Sequence, residues 1–357
     1  MNIAVIKYQN MALKCLLLCL IIASFQSCLK NDVTTPLSIT SNNSAELLGY
    51  IESNGDYINS VYCPALISAS DLYTVQTDAV LLDIRDSLKF NLGHIKGAVN
   101  ISQSGLILYL NKNNVSSDKR IIIISTNGQS ASYCTAGLRI LGYQNVFALK
   151  YGMASWNSVF ADEWLKAIKV KMAFDADFGP ESPKPPLKNL PTVNFTDSNL
   201  STQDKLLERV TNVLAESFTD DVDINITDDK VFYLSDGMVT TAWDSYFKVC
   251  YGNDSLYYNQ HNPGYKNPGH IVGPYLYRSV PVYDLRSDAN LQSLPINNSI
   301  LIYTTDGHLS AELTMYLKVL GYDAKSLLFG GNYLFYSVIG INKAFSSGSI
   351  MNYPYDK

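Results

Sequence analysis

Hydrophobic residues in this chain gather into short runs separated by polar, glycine-containing turns, and the runs recur in a fixed order. An eleven-residue apolar run, residues 15–25, stands alone near the start, and polar chain follows it from residue 29 to about residue 44. Helical spacing appears over residues 47–54 and 68–74. Residues 79–83 form a short apolar stretch that ends in a carboxylate. Ile121, Ile122, Ile123 and Ile124 are all β-branched and predict a strand buried on both faces. That strand runs into a polar loop, residues 125–130, and then into a predicted helix from about Ser130 to Leu141 with Gly142 closing it at C′. Residues 146–149 make the next strand. Strand, loop, helix and strand at these lengths predict a parallel sheet with helices on both faces, an α/β fold.

The same order returns further along. Leu138-Arg-Ile-Leu-Gly-Tyr143 aligns with Leu317-Lys-Val-Leu-Gly-Tyr322, an offset of 179 residues. At that offset Ile121–Ile124 fall on Ile300-Leu-Ile-Tyr303, Gly128 on Gly307 and Gly152 on Gly331. A Gly-His-Ile triplet recurs at Gly93 and Gly269. Between the copies, residues 179–191 are dense in proline, which cannot build a helix or a central strand and reads as an inter-domain linker. The expected domains are 45–172 and 200–357, joined by residues 173–199. In the second copy Val231-Phe-Tyr-Leu-Ser-Asp236 is the expected counterpart of the strand that ends at Asp83.

Composition narrows the class. The 357 residues are 47% hydrophobic and 17% charged, enough apolar material for two packed cores. Net charge is −5 and no basic stripe exists, which argues against a nucleic-acid surface. Four histidines, with neither CxxC nor HExxH spacing, remove the common zinc sites, and no cofactor is expected.

The first twenty-seven residues read as an address. Lys7 and Lys14 precede the apolar run, which is shorter than the ~20 residues needed to cross a bilayer but suits a secretory signal. Phe25-Gln26-Ser27-Cys28 resembles a bacterial lipoprotein box, which implies removal of residues 1–27, lipid on Cys28 and a flexible tether over residues 28–44. The expected location is therefore the bacterial cell envelope. Cys63, Cys134 and Cys250 are left, an odd number that cannot form a complete disulfide framework.

Taken together, Leu82-Asp-Ile-Arg85, Phe90-Asn-Leu-Gly-His-Ile-Lys-Gly-Ala98, the strand–loop–helix, and Lys150-Tyr-Gly-Met-Ala-Ser-Trp156 resemble a rhodanese domain. The resemblance covers about 45–172 fully and 200–357 through Gly269-His-Ile-Val-Gly273 and residues 300–331. It implies two rhodanese-like domains. In that family a cysteine at the first position of the strand-to-helix loop carries a sulfane sulfur as a persulfide. Loop amides and the helix N-terminus favour its thiolate.

At that atom the chain departs from the family. Ser125 and Thr304 stand at the two nucleophile positions, and a hydroxyl cannot form a persulfide. Ser130 and Leu309 stand where the family often places an arginine. Neither loop is expected to be catalytic. Each still offers amides that can hold an anion or an acidic side chain: Ser125, Thr126, Asn127, Gly128, Gln129 and Ser130 in the first, and Thr304, Thr305, Asp306, Gly307, His308 and Leu309 in the second. His308 shows no acid partner in the sequence.

The expected function is a membrane-anchored binding module for a protein or a small anionic ligand. The alternative is a sulfurtransferase that uses a non-standard or partner-supplied thiol. Cys134, two turns into the helix, reads as a core thiol, and Cys63 and Cys250 as structural. His94, His270, Asp83 and Arg85 read as fold-stabilising. Asp221-Val-Asp-Ile-Asn225 opens like a calcium loop, but Ile226 and Phe232 replace its glycine and glutamate, so a strand is expected there instead. Residues 251–268 read as a surface loop.

Overall fold

The four isoleucines at 121–124 form a strand in the middle of a parallel sheet, and none of them is exposed. The computed structural model describes residues 43–172, 176–177, 180–258, 261–262, 265–266, 270–336 and 345–357. The signal-like segment, Cys28 and Gly269 lie outside the described residues.

The first half contains helix α1 (Asn43–Ser53), strands β1 (Leu66–Ile67), β2 (Val80–Asp83), β3 (Val99–Asn100) and β4 (Ile121–Ile124), helix α2 (Gln129–Ile140) and strand β5 (Val146–Leu149). Their sheet order is β1-β5-β4-β2-β3, with every pairing parallel. Period-two alternation sends Ile121 and Ile123 to the face that α2 covers. Ile122 and Ile124 go to the opposite face, with Leu72, Met153 and Trp156. Burying a side chain of this size stabilises the fold by about 1.5–3 kcal/mol, which is why a run with no polar position suits a strand covered on both faces.

The second half repeats the plan with helix α3 (Thr202–Ala215), strands β6 (Phe247–Gly252), β7 (Tyr275–Arg278) and β8 (Ile300–Tyr303), helix α4 (His308–Val319) and strand β9 (Ala324–Ser326). The order β7-β6-β8-β9 is again parallel and matches β3-β2-β4-β5. Residues 43–357 belong to one compact unit, and one core cluster spans both sheets. Helices α2 and α4 pack on each other. At Gly137 an added Cβ would lie 3.1 Å from Met315 Cε of α4 and 3.2 Å from Val210 Cγ1 of α3, so both helices press on α2 where it has no side chain.

Register corrects the expected counterpart of the Asp83 strand. Val80 pairs with Ile121 and Asp83 with Ile124, whereas Phe247 pairs with Ile300 and Cys250 with Tyr303. Strand β6 therefore takes the place of β2, and buried Cys250 stands where Asp83 stands. Phe232–Tyr233 form a separate antiparallel pair with Val239–Thr240. Asp83 itself is a buried partner of Arg85, 2.7 Å away, and Arg85 also donates to Gly93 O at 2.8 Å.

The two Gly-His-Ile histidines are built alike. His94 stacks on Phe90, and its Nδ1 lies 3.1 Å from Phe90 O; His270 stacks on Tyr257, and its Nδ1 lies 3.1 Å from Tyr257 O. Tyr257 belongs to a short helix (Asp254–Tyr257) and is buried with Tyr251 and Leu256, so residues 251–257 put three side chains into the core where a surface loop was expected.

Residues 180–199 contain no helix or strand and lie along the second half, where Lys188 N donates to Gln292 O at 2.7 Å. The end of the chain returns to the first half: Met351 N donates to Ser155 O and Tyr353 N to Trp156 O. His94 and Asp356 exchange both backbone bonds at 2.9 Å.

Candidate functional site

The loop after β4 turns into α2 through Gly128, whose φ of 86° and ψ of −14° lie in the left-handed region. A Cβ there would sit 2.7 Å from both His308 Nε2 and the Tyr151 amide nitrogen, so glycine is required by conformation and by space. The turn aims the amides of Asn127, Gln129 and Ser130 at one point beyond the N-terminus of α2, where unpaired N–H groups and the helix dipole favour negative charge.

The carboxylate of Asp220, contributed by the chain beyond α3, fills that point. Its Oδ2 accepts hydrogen bonds from Ser125 Oγ at 2.8 Å, Asn127 N at 3.1 Å, Gln129 N at 2.9 Å and Ser130 N at 3.1 Å. Its Oδ1 accepts from Ser130 Oγ at 3.0 Å. Asn127 Nδ2 donates to the Asp220 backbone carbonyl at 2.6 Å. Five donors thus converge on one carboxylate, and Asp220 is only 3% exposed. Ser125 Oγ in turn accepts from Gly128 N at 2.9 Å. Thr126 takes no part in the cradle; its carbonyl accepts from Ala154 N at 3.4 Å.

Of the expected residues, Ser125, Asn127, Gln129 and Ser130 therefore converge on Asp220. Residues 221–225 form no strand, in contrast to the strand expected there. No neighbouring strand offers them a ladder. Their carboxylates turn instead to the first half, where Asp221 pairs with Lys89 and Asp223 lies 3.5 Å from Lys166.

The second loop has the same backbone, with Gly307 at φ 85° and ψ −14°. Different side chains complete it. Thr304 Oγ1 accepts from Ser310 N at 3.3 Å, and Thr305 O accepts from Asn332 Nδ2 at 2.7 Å. Leu309, half-buried, supplies no hydroxyl where Ser130 does. Asp306 supplies the acid partner that the sequence did not show for His308: its Oδ1 lies 3.2 Å from His308 Nδ1 and accepts from His308 N at 3.3 Å. Burial works against the Asp306 charge, but His308 and Lys150 outweigh it and hold the carboxyl below its usual range. This pair is not a catalytic triad, because His308 Nε2 accepts the Tyr151 amide at 3.0 Å instead of a nucleophile's proton.

Gln129 makes the reciprocal bond: its Oε1 accepts from Phe329 N at 2.9 Å. Tyr151 and Phe329 are matched residues with φ of 62° and 60°, each followed by a left-handed glycine. That places Gly152 opposite Gly330, not Gly331, a one-residue shift that sequence alignment alone did not resolve. The two loops face each other, each closed by the first helical residue of the other half.

Among the described residues the free thiols are Cys63, Cys134 and Cys250. Cys134 and Cys250 are fully buried; burial pushes the Cys250 thiol up to about 12 and the Cys134 thiol higher still. Cys63, on the first half, donates to Glu312 Oε2 of α4 at 3.0 Å, and burial and that carboxylate both raise it well above the ordinary thiol range. Glu312 also accepts from Tyr57 Oη at 2.6 Å and from Ala65 N at 3.1 Å, and burial pushes it up to about 7. Neither Asp220 nor Glu312 carried a sequence signal, because each meets its partners across the fold at long sequence separation. Among the described residues no cluster of His, Cys, Asp and Glu is placed to hold a metal, and no helix is long and apolar enough to cross a membrane.

Known proteins resemble part of this chain. The rhodanese-like domain family matches residues 68–159. Thiosulfate sulfurtransferase GlpE of Shewanella oneidensis is 27% identical over 96 residues, covering 27% of this chain and 89% of that protein. Thiosulfate sulfurtransferase GlpE of Ectopseudomonas mendocina is 31% identical over 85 residues, covering 24% of this chain and 76% of that protein. Among solved structures, a rhodanese-related protein from Thermoplasma volcanium is 24% identical, with a TM-score of 0.23, covering 28% of this chain and 92% of that one.

Proposed function

Because the chain belongs to the rhodanese-like family through residues 68–159, we propose that it is a tandem rhodanese-like lipoprotein that has given up sulfur transfer and serves as a binding module. In this reading residues 45–172 and 200–357 are the two rhodanese-like domains. Lipid on Cys28 holds them in the bacterial cell envelope, and the partner is a protein or a small anionic ligand.

The observation that carries the reading is Ser125. Sulfur transfer needs a thiolate that attacks the donor's sulfur and keeps it as a persulfide in the cradle. Here the atom at that position is a hydroxyl oxygen, its proton is donated to Asp220, and the cradle is filled by the same carboxylate. In the second loop Thr304 is likewise a hydroxyl. Thr305, Asp306 and Leu309 are partly exposed, whereas Thr126 alone is so in the first loop, which makes the second loop the more open of the two to a partner. The alternative, transfer through a non-standard thiol, is disfavoured by the burial of Cys134 and Cys250.

Treating the protein with thiosulfate, a thiol-reactive probe and a serine-reactive probe in turn, and mapping the products by mass spectrometry, tests the reading. No persulfide or adduct is expected at Ser125, Thr304 or Cys134; one at any of them would overturn it.

A further inference from the structure

Asp220 sits in a strap, residues 216–225, that leaves the end of α3 and crosses the mouth of the first loop. Four features fasten the strap on either side of the carboxylate. The Phe218 ring is buried 4.9 Å from that of Tyr133, and the Gln103 side chain bonds both Phe218 N at 3.2 Å and Phe218 O at 2.5 Å. Ile224 is buried, and Asp221 pairs with Lys89.

Within that frame the cradle treats Asp220 as it would treat a bound anion. Four donors meet on one oxygen and a fifth on the other, and three of the five are main-chain N–H groups that no side-chain substitution can supply or remove. Buried Asn127 spends its Nδ2 on Glu163 and on the Asp220 carbonyl, and its Oδ1 has no partner among the described residues.

We propose that the strap is an internal ligand: the first loop is an oxyanion site occupied by the chain's own carboxylate, and it takes a free tetrahedral dianion when that carboxylate is withdrawn. Tethering explains why the strap holds the site. A side chain fixed beside its receptor acts at an effective concentration on the order of millimolar or more, so a free anion of modest affinity loses to it. The inference concerns occupancy of the cradle and stands whether or not the protein transfers sulfur.

The test uses the full chain with inorganic sulfate as probe, against chloride at equal ionic strength. Amide hydrogen exchange is read at Asn127, Gln129 and Ser130. In the wild type, sulfate leaves these amides unchanged. In Asp220→Ala they exchange roughly tenfold or more faster in chloride, and sulfate restores their protection saturably. Sulfate also stabilises proteins by exclusion from their surfaces, so Asp220→Ala/Ser130→Ala provides the control. Loss of one hydroxyl donor should weaken saturation by roughly tenfold. If Asp220→Ala does not fold in chloride, Asp220→Asn is measured in its place, and folding of either variant rescued by sulfate supports the proposal. A sulfate response that is equal in the wild type, insensitive to Ser130→Ala, or absent from both Asp220 variants overturns it.

Discussion

Gln129 and His308 make the same hydrogen bond in opposite directions. Each is the first residue of its helix, each is fully buried, and each accepts a main-chain N–H from the other half, at 2.9 Å from Phe329 and 3.0 Å from Tyr151. The two donors are bulky residues in the left-handed region, a conformation that persists only where surrounding contacts fix it. Neither loop can open without orphaning an N–H in the other half, so the two halves behave as one body at this point.

Stability should report this clasp. Gln129→Ala or His308→Ala leaves a buried N–H without an acceptor and should cost about 1–3 kcal/mol by urea unfolding. His308→Gln, which places the other half's acceptor in this half, should lose clearly less than His308→Ala. Equal losses from the two His308 variants would show that packing, not the bond to Tyr151, is what matters there.

Glu312 gives the fold a pH dependence with a definite sign. Burial raises it to about 7 in the folded protein, against 4.5 as its ordinary value. Between these pH values the folded state binds more protons than the unfolded state, so stability falls as pH rises through this window. It is fully present below about 4.5 and lost above about 7, a change of about 3 kcal/mol. Unfolding midpoints at about pH 5 and about pH 8 should therefore differ in the wild type, with a much smaller difference in Glu312→Gln. An unchanged slope in that variant would assign the effect elsewhere.

The thiols should be silent while the protein is folded. A thiol at about 12, as for Cys250, is ionised in roughly one molecule in 10⁵ at neutral pH. Alkylation followed by peptide mapping should find Cys134 and Cys250 modified only after unfolding. Cys63 should react slowly, because its proton is shared with Glu312. Rapid labelling of folded Cys134 would revive it as a nucleophile.

Membrane attachment is tested at Cys28. Cells fed a labelled fatty acid should incorporate it into the wild type, and Cys28→Ser should lose both the label and sedimentation with membranes. Retention of both by the variant would remove the proposed anchor.

The sheets were legible in the sequence because their signals are local: four consecutive isoleucines, a helix closed by Gly142, and a second copy of both. The loops were legible for the same reason, since Gly128 and Gly307 mark the required turn. What fills the first loop was not. Asp220 lies 95 residues beyond Ser125, in a stretch whose alternating apolar residues mimic a strand. Cys250 was unreadable as the counterpart of Asp83 because register, not residue type, establishes the match.

The central claim is that an oxygen atom, bonded to an internal carboxylate, stands where sulfur would have to be carried. Thiosulfate-to-cyanide transfer by the purified protein tests it most directly. The rate should equal the protein-free background and be unaffected by Cys134→Ser or Cys63→Ser. Turnover above background that either substitution abolishes would contradict the account.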